Sequence, residues 1–222
     1  MFTGLIEEIG EVMSIKNDRT SLKIKIKCQK VLKNSKVGDS IATNGTCLTA
    51  IEIGSNYFVA DCMHETVKRT NLKHLKNGNK VNLEKSITLS TPLGGHLVTG
   101  DVDTEGTIIN ISKDGIAKIY EIKIDKKYMK YIVEKGRVAI DGASLTIMEL
   151  SPETFSVSLI PHTQDMIILG NKNISDLVNI EVDLIGKYVE KLLFSETKSE
   201  NNTNDMNIKS GISAEFLLKN GF

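Results

Sequence analysis

Two pairs of small polar side chains stand beside glycine turns in this chain. Cys47 and Thr49 follow Asn44-Gly45, and Ser144 and Thr146 follow Asp141-Gly142. In a strand, residues two apart point to the same face. Cys47 and Thr49 therefore project together, as do Ser144 and Thr146. Such pairs suit the edge of a flat heteroaromatic ligand; hydroxyls that only cap a turn are the plainer alternative. Recurrence of the whole arrangement, with Thr66 and Thr163 as a further matching pair, favours the ligand. Two related half-sites imply two related ligands, or one substrate taken twice.

Other chemistries find little support. His64, His74, His96 and His162 make no metal-ligand spacing, and the chain has no GxGxxG, P-loop, HExxH or GxSxG motif. No metal site is expected. Cys28, Cys47 and Cys62 are odd in number and widely spaced, which fits neither a disulfide framework nor zinc and points to a reducing cytoplasm. Lys plus Arg (28) balances Asp plus Glu (28), and Trp is absent, so nucleic acid is a poor partner. No apolar run approaches the ~20 residues of a membrane span, and the N-terminus does not read as a signal peptide.

The matching pairs belong to a longer repeat. A shift of 97 positions lays Ile41–Thr49 on Val138–Thr146, Phe58 on Phe155, Leu72 on Leu169 and Val81–Glu84 on Val178–Glu181. Shifts of 96 and 98 align Thr3-Gly4 with Thr99-Gly100 and Ile24 with Ile122. The chain is a tandem of two homologous domains, divided near Gly94-Gly95 into 1–95 and 96–186, with a tail over 187–222.

The elements that must position these residues are mostly β. Leu22, Ile24 and Ile26 alternate with Lys23, Lys25 and Lys27, and Tyr120, Ile122 and Ile124 alternate with Glu121, Lys123 and Asp125. Further strands are predicted over 40–43, 48–53, 57–61 and 80–83. Five or six short strands per half suggest a small closed barrel, since closure removes exposed edges. Helices are predicted over 65–75 and 127–133. In the tail, 187–195 places Tyr188, Val189, Leu192 and Leu193 on one side of a helix, either an oligomer contact or a face packed on its own barrel. A polar, Asn-rich linker is expected over 196–209, and Ile212, Phe216 and Leu217 suggest a short docking helix or a frayed end.

These residues resemble the riboflavin synthase family. The likeness is carried by Met1-Phe2-Thr3-Gly4-Leu5-Ile6-Glu7, Asn44-Gly45-Thr46-Cys47-Leu48-Thr49 and Gly94-Gly95-His96-Leu97-Val98-Thr99-Gly100. It continues in Asp141-Gly142-Ala143-Ser144-Leu145-Thr146, Leu159-Ile160-Pro161-His162-Thr163 and residues 178–188, and covers residues 1 to about 194. The resemblance implies an all-β chain of two six-stranded, Greek-key closed barrels with short helices and a C-terminal helix. It implies a homotrimer gathered around that helix, and raises lumazine synthase as a partner. The activity implied is a dismutation of two 6,7-dimethyl-8-ribityllumazine molecules by four-carbon transfer. The products are riboflavin and a ribitylamino-pyrimidinedione, with no metal or cofactor. In the family the reacting pair meets where the first barrel of one subunit faces the second barrel of its neighbour.

Carried over to this sequence, the resemblance implies a first half-site of Gly4, Leu5, Ile6, Cys47, Leu48, Thr49, Asp61, Cys62, Met63, His64, Glu65 and Thr66. It implies a second of Gly100, Asp101, Val102, Lys135, Ser144, Leu145, Thr146, Leu159, Ile160, Pro161, His162, Thr163 and Gln164. Strand-end backbone groups would pair with the pyrimidinedione edge, and hydroxyls or Lys135 would reach the ribityl chain. Cys47, Ser144 and Thr146 would position or activate the nucleophile, and Phe2 would cover the ring and exclude water. Many members read Gly-His where this chain has Gly100-Asp101. Asp101 can accept a proton if burial disfavours its charged form; otherwise that histidine is dispensable, or His96 or a water does the transfer. Glu181 and Asp183 are expected to be structural or solvated. Lumazine proteins, non-catalytic antennae of the same doubled barrel, are the competing class, from which the intact Cys47, Ser144 and Thr146 set this chain apart.

Overall fold

The computed structural model describes residues 1–17 and 21–199. The chain divides into two compact units, Met1–Lys187 and Tyr188–Phe222. The first unit holds twelve strands in two closed barrels.

The first barrel comprises β1 (Glu8–Asn17), β2 (Ser21–Lys27), β3 (Ser40–Thr43), β4 (Thr46–Ile53), β5 (Tyr57–Met63) and β6 (Lys80–Lys85). The second comprises β7 (Thr104–Asp114), β8 (Ala117–Lys123), β9 (Arg137–Ile140), β10 (Ala143–Leu150), β11 (Thr154–Leu159) and β12 (Leu177–Val182). Around the first barrel the order is β1-β2-β5-β4-β3-β6, and the second repeats it six strands later. All pairs are antiparallel. Register shifts recur at matching places too, at Val12/Ser14 and Ile108/Asn110, and at Ala50/Glu52 and Ile147/Glu149. Such bulges bend a strand and sharpen its twist, which small barrels need in order to close.

Alternation fills each interior. Leu22, Ile24 and Ile26 are buried around Phe58 in the first barrel, and Tyr120, Ile122 and Ile124 around Phe155 in the second. Burying side chains of this size is worth about 1.5–3 kcal/mol each relative to exposure.

The two helices predicted within the barrels, over 65–75 and 127–133, are shorter than expected. Helix α1 (His64–Arg69) ends at Thr70, whose backbone is extended, and a 3-10 turn follows at Asn71–His74. The break places the Asn71 amide 2.7 Å from the Asn179 Oδ1 acceptor in the other barrel. Helix α2 is only Lys126–Met129, started by Asp125 accepting from the Lys127 amide. Helix α3 (Pro161–Met166) matches α1. Helix α4 (Leu184–Ser199) is longer than predicted and takes in the first residues of the expected linker. The remainder of that linker and the segment carrying Ile212, Phe216 and Leu217 lie outside the described residues.

The two barrels meet along a pseudo-twofold axis at the Asn44-Gly45 and Asp141-Gly142 turns. The Asn179 side-chain amide donates to the Asn44 carbonyl at 2.8 Å, and Asn82 donates to the Asp141 carbonyl at 2.9 Å. Gly45 and Gly142 touch back to back with positive φ; a Cβ on either would sit 2.7 Å from the other's backbone nitrogen. Those turns lead directly into β4 and β10, so the contact fixes the two candidate strands relative to each other.

The network is not fully symmetric. Asp141 is fully buried, 3.5 Å from the Lys172 ammonium, where the first half has Asn44 and Leu75. Burial pushes the Asp141 carboxyl above the usual range, opposed chiefly by Lys172 and by hydrogen bonds from Asn179 and Asn71.

Candidate active site

Cys47 and Thr49 stand exposed on β4 while Leu48 between them is buried. On β10, Ser144 is half-buried, Thr146 exposed and Leu145 buried. The strand period alone gives this arrangement. What completes each pair comes from the opposite end of the repeat. The Cys47 amide donates to the Gly100 carbonyl at 3.0 Å, and the Ser144 amide donates to the Gly4 carbonyl at 2.8 Å.

The grouping therefore differs from the expected one. Gly4, Leu5 and Ile6 lie with Ser144 in the second-barrel cleft, and Gly100, Asp101 and Val102 lie with Cys47 in the first. The cause is an isolated antiparallel bridge between Phe2 and Val98, whose amides and carbonyls bond at 2.7 and 3.1 Å. It joins the two entry segments between the barrels, and each then leans on its neighbour's strand.

Two buried carboxylates hold those segments. Glu84 accepts from the Thr3 amide (2.7 Å), the Thr3 hydroxyl (2.6 Å) and the Gly4 amide (3.0 Å). Glu181 does the same for the Thr99 amide (2.6 Å), the Thr99 hydroxyl (2.8 Å) and the Gly100 amide (3.0 Å). Burial pushes both carboxyls above the usual range, and these hydrogen bonds pull the other way. Glu181 is thus structural, as expected, and Glu84 is its unforeseen twin. The signal was a glutamate recurring at the matching place in Val81–Glu84 and Val178–Glu181.

Each cleft is an open concavity, of about 340 Å³ beside Cys47 and about 370 Å³ beside Ser144. Both fall at the small end of ligand-site volumes, roughly 300–1,000 Å³. Roomier cavities of about 560 and 600 Å³ lie elsewhere and contain neither Cys47 nor Ser144; the chemistry of the lining, not size, identifies the candidate.

Glu65 and Thr66 line the first cleft, and Ile160, His162 and Thr163 the second. Cys62 points into the first barrel's core, where burial pushes its thiol up to about 12. Leu48 and Leu159 are also core residues. Asp61 pairs with Lys23 at 3.5 Å, and Met63 and His64 are exposed. Pro161 opens α3, and the Gln164 side chain donates to the Leu159 carbonyl at 2.8 Å. Lys135 is exposed on a turn with φ 62° and does not line the second cleft; Arg137 does. Phe2 is fully buried with Ala42, Val98 and Ala139, its ring behind Gly100. Asp101 lines the first cleft and is exposed.

Comparison with known proteins bears on this arrangement. The lumazine binding domain family model matches twice, at residues 3–86 and 99–183. Along its whole length the chain is 42% identical to the riboflavin synthase of Actinobacillus pleuropneumoniae and 43% identical to that of Bacillus subtilis (strain 168), covering all of each. It is 44% identical to the Schizosaccharomyces pombe riboflavin synthase, over 87% of this chain and 94% of that protein. The chain belongs to the riboflavin synthase family. Among solved structures, LumP complexed with riboflavin superposes with a TM-score of 0.76 at 26% identity, covering 82% of this chain and 99% of that one. LumP complexed with 6,7-dimethyl-8-(1'-D-ribityl) lumazine gives 0.74 at 25% with the same coverage.

Within this riboflavin synthase framework the two clefts differ in character. The first is charged: Arg69 pairs with Glu65 at 2.5 Å, and Lys187 with Asp103 at 2.7 Å. The second is walled by Leu5, Ile6, Leu145, Ile160 and Met166, with Arg137 and His162 as its charged or titratable side chains. Homologous sequence has thus produced two like backbones with unlike walls. Like backbones suit one shared heterocycle, and unlike walls suit different chemical roles for its two copies.

Proposed function

We propose that this chain makes riboflavin by dismutation of two 6,7-dimethyl-8-ribityllumazine molecules, one held in each cleft, with four carbons passing from one to the other. The observation that carries the reading is the doubled site: two equivalent strands, one presenting Cys47 and the other Ser144 to a cleft, each completed by a glycine carbonyl from the opposite entry segment, with Thr146 lining the second cleft and Thr49 not lining the first. Curated relatives matching over the full length are riboflavin synthases. Cys47 in the first cleft and Ser144 with Thr146 in the second are the groups that position or activate the nucleophile. Asp101, exposed where many family members carry histidine, is the carboxylate proposed to take a proton at the first cleft on the strength of its position alone. Phe2 acts from behind, as a rigid wall for Gly100 and Cys47 that keeps water from the ring.

The two clefts share no lining residue, which supports a reaction between copies of the chain, with the first cleft of one facing the second cleft of its neighbour. A homotrimer is the assembly proposed, in the cytoplasm. The exposed Tyr188, Val189, Leu192 and Leu193 of α4 supply an apolar stripe for it, and no described helix is long and apolar enough to cross a membrane. Holding two rings face to face can lower a bimolecular barrier by about 7–11 kcal/mol, which makes proximity the main source of rate.

The test is direct. The pure protein is incubated with the lumazine, and riboflavin absorbance is followed; appearance of riboflavin supports the reading. Tight binding with no conversion would move the chain to the antenna class.

A further inference from the structure

The repeat aligns Ser144 with Cys47, yet their surroundings differ in one respect. The Ser144 hydroxyl oxygen lies 2.7 Å from Nδ1 of His96. Among the described residues, the lining of the Cys47 cleft contains no histidine. His96 is buried, and its own amide donates to the Thr3 carbonyl at 3.1 Å. The ring is therefore anchored to the same entry segment that completes the second cleft. Its Nε2 is buried without a hydrogen-bond partner, so the imidazole meets polar chemistry through Nδ1 alone.

We propose that His96 is a positioning residue for Ser144: neutral Nδ1 accepts the Ser144 hydroxyl proton as a hydrogen bond and so turns an oxygen lone pair toward the ligand in the second cleft. This rests on the dismutation proposed above. The proposal takes the tautomer with its proton on Nε2, in which Nδ1 accepts and the Ser144 hydroxyl donates.

The charged groups facing the ring are Asp183, after β12, and Arg137, on β9. Burial is the largest influence and disfavours the imidazolium; Arg137 adds to this, and Asp183 opposes it. Burial thus favours the neutral ring over the imidazolium. Once protonated, Nδ1 must donate instead, and the serine hydroxyl turns its hydrogen outward. The second cleft would then present a donor where it had presented an acceptor.

The experiment measures kcat and KM against pH for the full-length protein and for His96→Ala, His96→Asn, Ser144→Ala and the His96→Ala/Ser144→Ala double variant. Wild type should lose kcat in acid through one ionisation below the ordinary imidazole range. His96→Ala should lower kcat about 10–100-fold, the order of penalty for a misplaced reacting group, with KM changed less than about threefold. His96→Asn, whose amide reaches the Nδ1 position, should recover part of kcat but lack the acid limb. In the Ser144→Ala background, His96→Ala should add nothing further. Full activity in both His96 variants, an acid limb surviving in His96→Asn, or independent losses in the double variant would each overturn the inference while leaving the dismutation standing. A wild type that forms no riboflavin overturns both.

Discussion

The carbonyl of Gly4 and the amide of Ser144, from opposite halves of the repeat, are joined at 2.8 Å. The matching bond from Cys47 to Gly100 is 3.0 Å. Each cleft is therefore finished by a segment whose own barrel lies on the other side of the pseudo-twofold axis, and the two carboxylates that hold those segments become levers on the opposite site.

Glu84→Gln should weaken ligand binding beside Ser144, and Glu181→Gln should weaken it beside Cys47. The glutamine amide faces backbone donors it cannot satisfy, and an unmet buried donor costs about 1–3 kcal/mol. An isotopically labelled, non-reacting lumazine analogue should show two bound resonances in the wild type. Each variant should lose or shift the one from the cleft across the axis. Loss at the same-barrel cleft would contradict the crossed arrangement.

The back-to-back turns predict a second effect. Gly45→Ala places a Cβ 2.7 Å from the Gly142 nitrogen at a positive φ. Strain of this kind costs about 1–3 kcal/mol. Denaturant unfolding should show that loss, and ligand binding should fall in both clefts together, because β4 and β10 move as a pair. Gly142→Ala should behave alike.

Asp141 and Lys172 give a pH-dependent prediction. A carboxyl whose folded pKa is raised favours folding while neutral, so its penalty is absent below the ordinary carboxylate range and grows as pH rises through the folded value. Lys172→Leu removes the nearby cation and should cost about 3–5 kcal/mol at neutral pH, with the loss shrinking in acid. Asp141→Asn combined with Lys172→Leu recreates the Asn44 and Leu75 pair of the first half, and should restore stability to within about 1 kcal/mol of wild type. Unfolding curves across pH check both; a double variant as unstable as Lys172→Leu alone would contradict the account.

The three thiols should separate cleanly. Cys28 and Cys62 are buried, which pushes each up to about 12, whereas Cys47 is exposed in its cleft. Reactivity follows the thiolate and its access. Iodoacetamide should label one cysteine per folded chain, Cys47, and all three after unfolding. Bound riboflavin should slow the single reaction. Mass spectrometry of the labelled peptides reads the outcome.

Much of this was legible in the sequence where the controlling forces are local. Alternation of Leu22, Ile24 and Ile26 with lysines predicts β2 and its buried face, and the repeat predicts two like modules and the paired Cys47 and Ser144 strands. Tertiary hydrogen bonds erased the rest. The helix expected over 65–75 breaks at Thr70 so that Asn71 can meet Asn179. The crossing of Gly4 and Gly100 leaves no trace in a repeat, because exchanging two homologous segments preserves each local contact. His96 reads as one histidine among four until folding brings it to Ser144.

The most direct measurement is the number of lumazine-like molecules bound per polypeptide at saturation, by equilibrium titration with riboflavin or a non-reacting lumazine analogue. Two bound per chain, one displaced selectively by a side-chain change beside Cys47 and the other by one beside Ser144, is the result expected. A single bound molecule per chain, with the second barrel refusing ligand at every concentration, would contradict the account.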